Sequence, residues 1–148
     1  MSNWATEYFG AELLTEDGLK PTAEVLNGKN RVAIYFSAHW CPPCRGFTPV
    51  LAEFYEQLKE EDADALEIVF ASSDQDDASF GTYFGSMPWT AMPFGSAGKD
   101  ALSTKFGVRG IPFLVILDGK DGSVKDADGR STVAGAKGNT AKALASWA

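Results

Sequence analysis

Cysteine and histidine are scarce in this sequence, which has two cysteines and one histidine among 148 residues. A secreted disulfide framework needs several cysteine pairs, and two cysteines three positions apart cannot supply one. A structural zinc site needs four ligands, so Cys41, Cys44 and His39 could build a zinc or iron–sulfur site only between two chains. We therefore expect no metal and no cofactor.

Basic residues are fewer than acidic ones: the sequence has 13 Lys and Arg and 20 Asp and Glu, which gives a formal charge of -7. This balance argues against nucleic acid and anionic lipid as general partners. No apolar run approaches the roughly 20 residues that a membrane helix needs. Residues 1–7 have neither the basic nor the apolar region of a signal peptide. We expect a soluble cytoplasmic protein, with the nucleus as an alternative, and no membrane partner.

The hydrophobic residues, 45% of the chain, are patterned as alternating strands and helices. Residues 32–36 are β-branched or aromatic and predict a buried strand, and apolar side chains at helical spacing predict a helix at 42–61. Residues 67–71 predict a second strand, which must be parallel to the first because a crossover helix joins them. Further segments predict helices at 78–84, 101–106 and 138–147 and an antiparallel strand pair at 113–117 and 123–125. The chain should form one α/β domain over 1–148, a mixed sheet with helices on both faces, with a core at 31–148 and an N-terminal extension at 1–30.

The segments outside these elements give weaker patterns. In the N-terminal extension we expect an edge strand at 8–14, a turn at 16–18 and a short helical turn at 21–26. Residues 72–74, Ser-Ser-Asp, have the composition of a strand exit and of the cap of the helix at 78–84.

The sequence Trp40-Cys41-Pro42-Pro43-Cys44 lies where the first strand gives way to the first helix. At a helix N-terminus, free N–H groups and the macrodipole favour an anion, which lowers the pKa of a thiol below its free value of about 8.5. Cys41 should therefore be a nucleophile at neutral pH, and Cys44, one turn later, can close a disulfide with it. The two prolines remove N–H donors and stiffen the turn. This placement favours thiol–disulfide exchange over metal binding.

Three blocks of sequence carry a family resemblance: residues 36–49 around the cysteines, Met87-Pro88-Trp89 with Pro93-Phe94, and residues 106–112, Phe-Gly-Val-Arg-Gly-Ile-Pro. Over residues from about 8 to 133, the chain resembles the nucleoredoxin and tryparedoxin branch of the thioredoxin superfamily. The resemblance implies a thioredoxin-like fold and a protein-disulfide oxidoreductase.

The resemblance also implies roles for individual residues. Cys41 matches the attacking cysteine, Cys44 the resolving one, and Trp40 the tryptophan that flanks the site. Pro112 matches a cis-proline that exposes the backbone of Ile111 to an extended client segment. Tyr35 stands where ordinary thioredoxins carry a buried aspartate, which leaves the proton acceptor for Cys44 open.

Four other residues could contribute to the site, and two of them, His39 and Trp89, have two interpretations each. His39 can favour the Cys41 thiolate by its charge or face solvent in a loop. Arg109 can bind an acidic client or a glutathione-like carboxylate, and Arg45 is a surface charge that favours the Cys41 thiolate modestly. Trp89 lies in an expected loop at 85–98, where it can contact a client or pack into the core.

The sequence therefore predicts a protein-disulfide reductase with Cys41 attacking and Cys44 resolving. Its partners would be disulfide-containing client proteins and an upstream electron donor, namely a reductase flavoenzyme, glutathione or another dithiol. Two alternatives stay open: a redox sensor, and a thioredoxin-like module that binds clients without catalysis.

Overall fold

The structure, a computed structural model, describes residues 4–96 and 98–148. Residues 1–3, which belong to the stretch considered for a signal peptide, and Ala97, in the expected loop, lie outside the described residues. The strands are β1 Glu12–Thr15, β2 Gly18–Pro21, β3 Arg31–Ser37, β4 Leu66–Ser72, β5 Thr90–Ala91, β6 Phe113–Asp118 and β7 Val124–Asp126. The helices are α1 Trp4–Phe9, α2 Thr22–Leu26, α3 Pro42–Glu61, α4 Asp77–Phe84, α5 Gly98–Lys105, α6 Gly129–Ala136 and α7 Thr140–Ser146.

The strands form one seven-stranded sheet in the order β2-β1-β5-β4-β3-β6-β7. β3 is an interior strand of this sheet, parallel to β4 and antiparallel to β6, and β6 is antiparallel to β7. Residues 32–36 are buried on both faces of the sheet, which explains why the sequence of β3 is a continuous apolar run without polar alternation. The mixed sheet and both predicted strand directions are confirmed.

Helices cover both faces of the sheet. On one face, Tyr35, Phe70 and Leu114 pack with side chains from α3, α4, α6 and α7. On the other face, Val32, Ile34 and neighbouring strand residues pack with side chains from α1, α2 and α5. Within the described part of the chain, no helix is long and apolar enough to cross a membrane.

The N-terminal extension differs from its prediction. Tyr8 and Phe9 belong to α1 rather than to an edge strand, and the strand begins only at Glu12. Their rings pack edge-on against Trp4 with centroids 5.3 and 6.2 Å apart, so a helix gathers three aromatic side chains on the core. Gly10, at a φ of 83°, then turns the chain into β1. An apolar run this short does not distinguish helix from strand.

Three further elements were not predicted. β2 pairs antiparallel with β1, in a stretch where only turns were expected. β5 is only two residues long and lies inside the segment expected to be a loop. α6 is rich in Gly, Ser and Thr, and Asp128 caps it by accepting the Ser131 N–H. Gly129 packs so tightly on β6 that a Cβ would lie 3.0 Å from the Leu114 carbonyl oxygen, which explains a glycine inside this helix.

Glu67, at the start of β4, is a buried carboxylate that is only 7% exposed. The Tyr55 hydroxyl donates to both of its oxygens, at 3.0 and 3.1 Å, and the Ile68 N–H donates at 3.0 Å. Burial nevertheless raises the pKa of Glu67 above its ordinary value. Between the unfolded pKa of about 4.3 and this raised value, the folded state binds more protons than the unfolded state.

Stability that depends on protonated Glu67 should therefore be present below pH 4.3 and be lost as the pH rises through the folded pKa. Glu67→Gln stays neutral, so its free energy of unfolding relative to wild type should increase from pH 4 to pH 7.5. Urea unfolding of the oxidised protein at both pH values measures this difference. Glu56→Gln, at an exposed position of α3, is the control and should show no such increase. A Glu67→Gln difference that stays constant between the two pH values would contradict the prediction.

Candidate active site

Cys41 and Cys44 are joined by a disulfide at the start of α3, with their Cα atoms 5.2 Å apart. Cys41 is the N-cap of the helix, and its sulfur accepts the Cys44 N–H at 3.3 Å. Pro42 and Pro43 fill the first two helical positions and have no N–H, so the Cys44 amide is the first free donor of the helix. A thiolate formed at Cys41 by reduction would receive this hydrogen bond and the field of a 20-residue helix.

The two cysteines differ in their surroundings. Both cysteines are buried: Cys44 is fully buried, and Cys41 is 5% exposed and forms a small cluster with Ala38, Cys44 and the half-buried Ile111. The Ile111–Pro112 peptide bond is cis, the conformation that the family resemblance implies. The Ile111 carbonyl oxygen lies 3.8 Å from the Cys41 sulfur. The loop before β6 therefore brings the backbone of residue 111 directly to the disulfide.

Trp40, which precedes Cys41, has a large apolar side chain that is exposed to solvent. It is 56% exposed, and its indole N–H donates to the Ser73 carbonyl at 3.0 Å. Arg45 and Arg109 are exposed as well. His39 is only half-exposed, and its ring stacks on Tyr83 with centroids 5.3 Å apart. His39 is therefore held against α4 rather than free in a solvent-facing loop.

Four buried hydroxyl groups form a network behind Cys44. The Tyr35 hydroxyl bonds with Thr48 at 2.7 Å, Thr48 with Tyr83 at 2.6 Å, and Tyr83 with Ser37 at 2.7 Å. Thr48 and Tyr35 also donate to the Cys44 carbonyl oxygen, at 2.9 and 3.4 Å. Burial raises the pKa of Tyr35 well above its ordinary value, so it stays a neutral phenol at physiological pH.

The sequence analysis missed Thr48, Tyr83 and Ser37. Thr48 stands four positions after Cys44, on the same face of α3, which is the one local signal for its role. From the sequence, Tyr83 is placed only within the helix predicted at 78–84. Its position beside Ser37, 46 residues earlier, depends on how α4 packs on the sheet.

Trp89 was predicted to bind substrate, and the structure corrects this. It is 2% exposed, and its ring contacts the rings of Tyr35 and Tyr55 with centroids 5.9 and 5.7 Å apart. Trp89 immediately precedes β5, and the pairing of that strand with β4 and β1 fixes this part of the chain at the sheet. Core packing, the alternative left open by the sequence, is the correct interpretation.

The expected cap at residues 72–74 is also wrong. Asp76 caps α4, accepting the Ser79 N–H at 2.7 Å. Ser72 is the last residue of β4, and Asp74 instead accepts the backbone N–H of His39 at 2.8 Å. The segment after β4 therefore contacts the loop that carries the cysteines.

A family model described as Thioredoxin-like matches residues 28–124. The chain belongs to the thioredoxin-like family. Probable nucleoredoxin 1 of Arabidopsis thaliana is 47% identical over 121 residues, 82% of this chain and 20% of that protein. Tryparedoxin of Trypanosoma brucei brucei is 42% identical over 134 residues, 90% of this chain and 91% of that protein. The crystal structure of native tryparedoxin I from Crithidia fasciculata matches with a TM-score of 0.82 at 38% identity, covering 90% of this chain and 92% of that one.

These matches confirm the nucleoredoxin and tryparedoxin branch and the thioredoxin-like fold that the sequence indicated. The coverage differs between the two groups of relatives. This chain spans nearly the full length of the tryparedoxin but only 20% to 30% of the nucleoredoxins that it matches.

Removing the hydroxyl of Tyr83 tests the network behind Cys44. Tyr83→Phe keeps the ring on His39 but leaves Thr48 and Ser37 each without one buried partner, so the oxidised protein should lose about 1–2 kcal/mol of stability. Urea unfolding followed by tryptophan fluorescence measures the change. Tyr8→Phe is the matched control, because the Tyr8 hydroxyl makes a single long bond of 3.4 Å to the Gly122 carbonyl. An equal loss in the two variants would show that the network adds nothing.

Proposed function

We propose that this chain is a protein-disulfide reductase in which Cys41 attacks the client and Cys44 resolves the mixed disulfide. The observation that carries the proposal is the Cys41 sulfur at the N-cap of α3, facing the free amide of a fully buried Cys44. The Cys41 sulfur, in the less buried of the two cysteines, is placed to be a stabilised thiolate, and the Cys44 sulfur lies close behind it. The relatives of the chain, a tryparedoxin and nucleoredoxins, support the same class of activity.

The reaction transfers two electrons to the client. The Cys41 thiolate attacks one sulfur of the client disulfide, forming a Cys41–client bond and releasing the other client sulfur as a thiolate. Cys44 then loses its proton and attacks the Cys41 sulfur, which releases the second client thiolate and leaves the Cys41–Cys44 disulfide. Both client thiolates take up protons from solvent. Since Tyr35 remains a neutral phenol, we infer that it positions the Cys44 carbonyl and is not the acceptor of the Cys44 proton.

The surface around Cys41 provides the client contacts. The cis bond before Pro112 leaves the Ile111 backbone beside the disulfide, where an extended client segment can pair with it. Trp40 offers an exposed apolar ring on the other side, and Arg109 an exposed charge on the same loop as Ile111. Pro42 and Pro43, both exposed, keep the helix start rigid between these contacts.

The cycle requires a donor that returns two electrons to the Cys41–Cys44 disulfide. We propose a reductase flavoenzyme, glutathione or another dithiol, in the cytoplasm or nucleus, where thiols are kept reduced. One thioredoxin-like domain, a core at 31–148 with an extension at 1–30, performs the exchange. The charge of -7 makes nucleic acid and anionic membranes unfavourable as partners.

Trapping the mixed disulfide tests the mechanism. Cys44→Ser cannot resolve the intermediate, so it should accumulate a covalent adduct on Cys41 when the reduced protein meets insulin as a model client. Non-reducing gels and peptide mass spectrometry detect this adduct, and dithiothreitol should release it. Cys41→Ser is the matched control and should form none.

Wild-type protein should accelerate insulin reduction by a dithiol, and each single-cysteine variant should lose at least 100-fold of this rate, since two-step exchange needs both thiols. If wild type reduces no insulin and Cys44→Ser traps nothing, the reductase proposal fails. Binding of partners that depends on the Cys41–Cys44 oxidation state would then identify a redox sensor, and binding independent of it a non-catalytic module.

A further inference from the structure

The segment that follows β4 holds the turn that carries Cys41. Three hydrogen bonds join the two: Ser73 N–H to the Ser37 carbonyl at 2.9 Å, His39 N–H to Asp74 Oδ1 at 2.8 Å, and Trp40 Nε1–H to the Ser73 carbonyl at 3.0 Å. They contact the chain at 37, 39 and 40, the residues just before Cys41. On the side of the segment after β4, Ser73 acts through its backbone and Asp74 through its side chain.

Asp74 is itself fixed in place. It is 6% exposed, and its second oxygen, Oδ2, accepts the Ser72 hydroxyl at 2.7 Å, while the Asp74 N–H donates back to the Ser72 oxygen at 2.9 Å. Both carboxylate oxygens are therefore occupied, one by its own strand end and one by the backbone of His39. Neither donor is a cation, so the buried charge is held by neutral hydrogen bonds alone.

The bond to His39 acts on a short turn. The Cys41 N–H donates to the Ala38 carbonyl at 3.2 Å, so residues 38–41 form one tight turn that ends on the N-cap. Within that turn, Asp74 fixes the backbone amide of His39, and the bond to the Ser73 carbonyl fixes the side chain of Trp40. The position of the Cys41 sulfur above the Cys44 amide therefore depends on contacts from outside the helix.

We propose that Asp74 is a positioning residue for Cys41: its carboxylate fixes the 38–41 turn so that the Cys41 sulfur meets the helix N-terminus. The importance of Asp74 for catalysis rests on the proposed disulfide exchange. The effect of Asp74 on the reactivity of Cys41 is independent of that proposal, because a small alkylating reagent measures this reactivity without any client.

Two neutral substitutions separate hydrogen bonding from charge. Asp74→Asn keeps an oxygen for the His39 N–H, whereas Asp74→Ala keeps none, and both remove the same negative charge. Loss of that charge by itself favours the Cys41 thiolate. The rate at which iodoacetamide alkylates Cys41 is measured in the reduced proteins at pH 7. Asp74→Asn should react as fast as wild type or faster. Asp74→Ala should react at least fivefold more slowly than Asp74→Asn. Peptide mass spectrometry assigns the label to Cys41.

Asp76→Ala is the matched control, since Asp76 is an aspartate two positions away whose side chain caps α4. It should lower thermal stability through the lost cap and leave the alkylation rate within twofold of wild type. Ser72→Ala covers the case in which Asp74→Ala does not fold, because it removes the hydroxyl that fixes Oδ2 and so lets the Asp74 carboxylate move away from the His39 N–H. Its alkylation rate should fall at least twofold.

Equal alkylation rates in Asp74→Ala and Asp74→Asn would overturn the proposal, as would an unchanged rate in Ser72→Ala when Asp74→Ala cannot be folded. Insulin reduction by the wild type is measured in parallel. If wild type reduces no insulin, the proposed function fails, while the alkylation comparison still decides whether Asp74 positions Cys41.

Discussion

The hydrogen bond from the Cys44 amide to the Cys41 sulfur is the interaction on which the site depends. This bond requires a helix that begins soon after a strand ends: β3 ends at Ser37, and α3 begins at Pro42. β3 can supply that end because it is an interior strand, paired on both sides and buried on both faces. Pro42 and Pro43 then remove the competing amides, so the first donor of α3 is directed at sulfur.

The sequence predicted β3 and α3 nearly to the residue because each is long and has one dominant pattern. β3 is an unbroken apolar strand, and α3 repeats its apolar residues over more than three turns. The short elements were harder to predict. α1 and β1 share one apolar run, and β5 has two residues. α6 contains two glycines, a serine and a threonine, which lower its helix propensity and hide it in the sequence.

Within the site, the parts that could be predicted are local. Cys41 and Cys44 lie three residues apart, and the cis bond before Pro112 follows from a recognised motif. The parts that could not be predicted join residues distant in the chain, such as Ser37 with Tyr83. The hydrogen-bond partner of a polar residue in an apolar helix cannot be predicted from the sequence, because it depends on how that helix is rotated against the sheet.

The two cysteines are held by different kinds of contact. Neutral hydroxyls from Tyr35 and Thr48 bind the Cys44 carbonyl oxygen from within the core. Asp74, also buried, lies just after the end of β4 and accepts the His39 N–H in the turn before Cys41. Cys44 is thus held by groups on the α3 face of the sheet, and Cys41 by the segment that follows β4. This division suits the proposed exchange, in which Cys41 would change its bonding partner while Cys44 keeps its position.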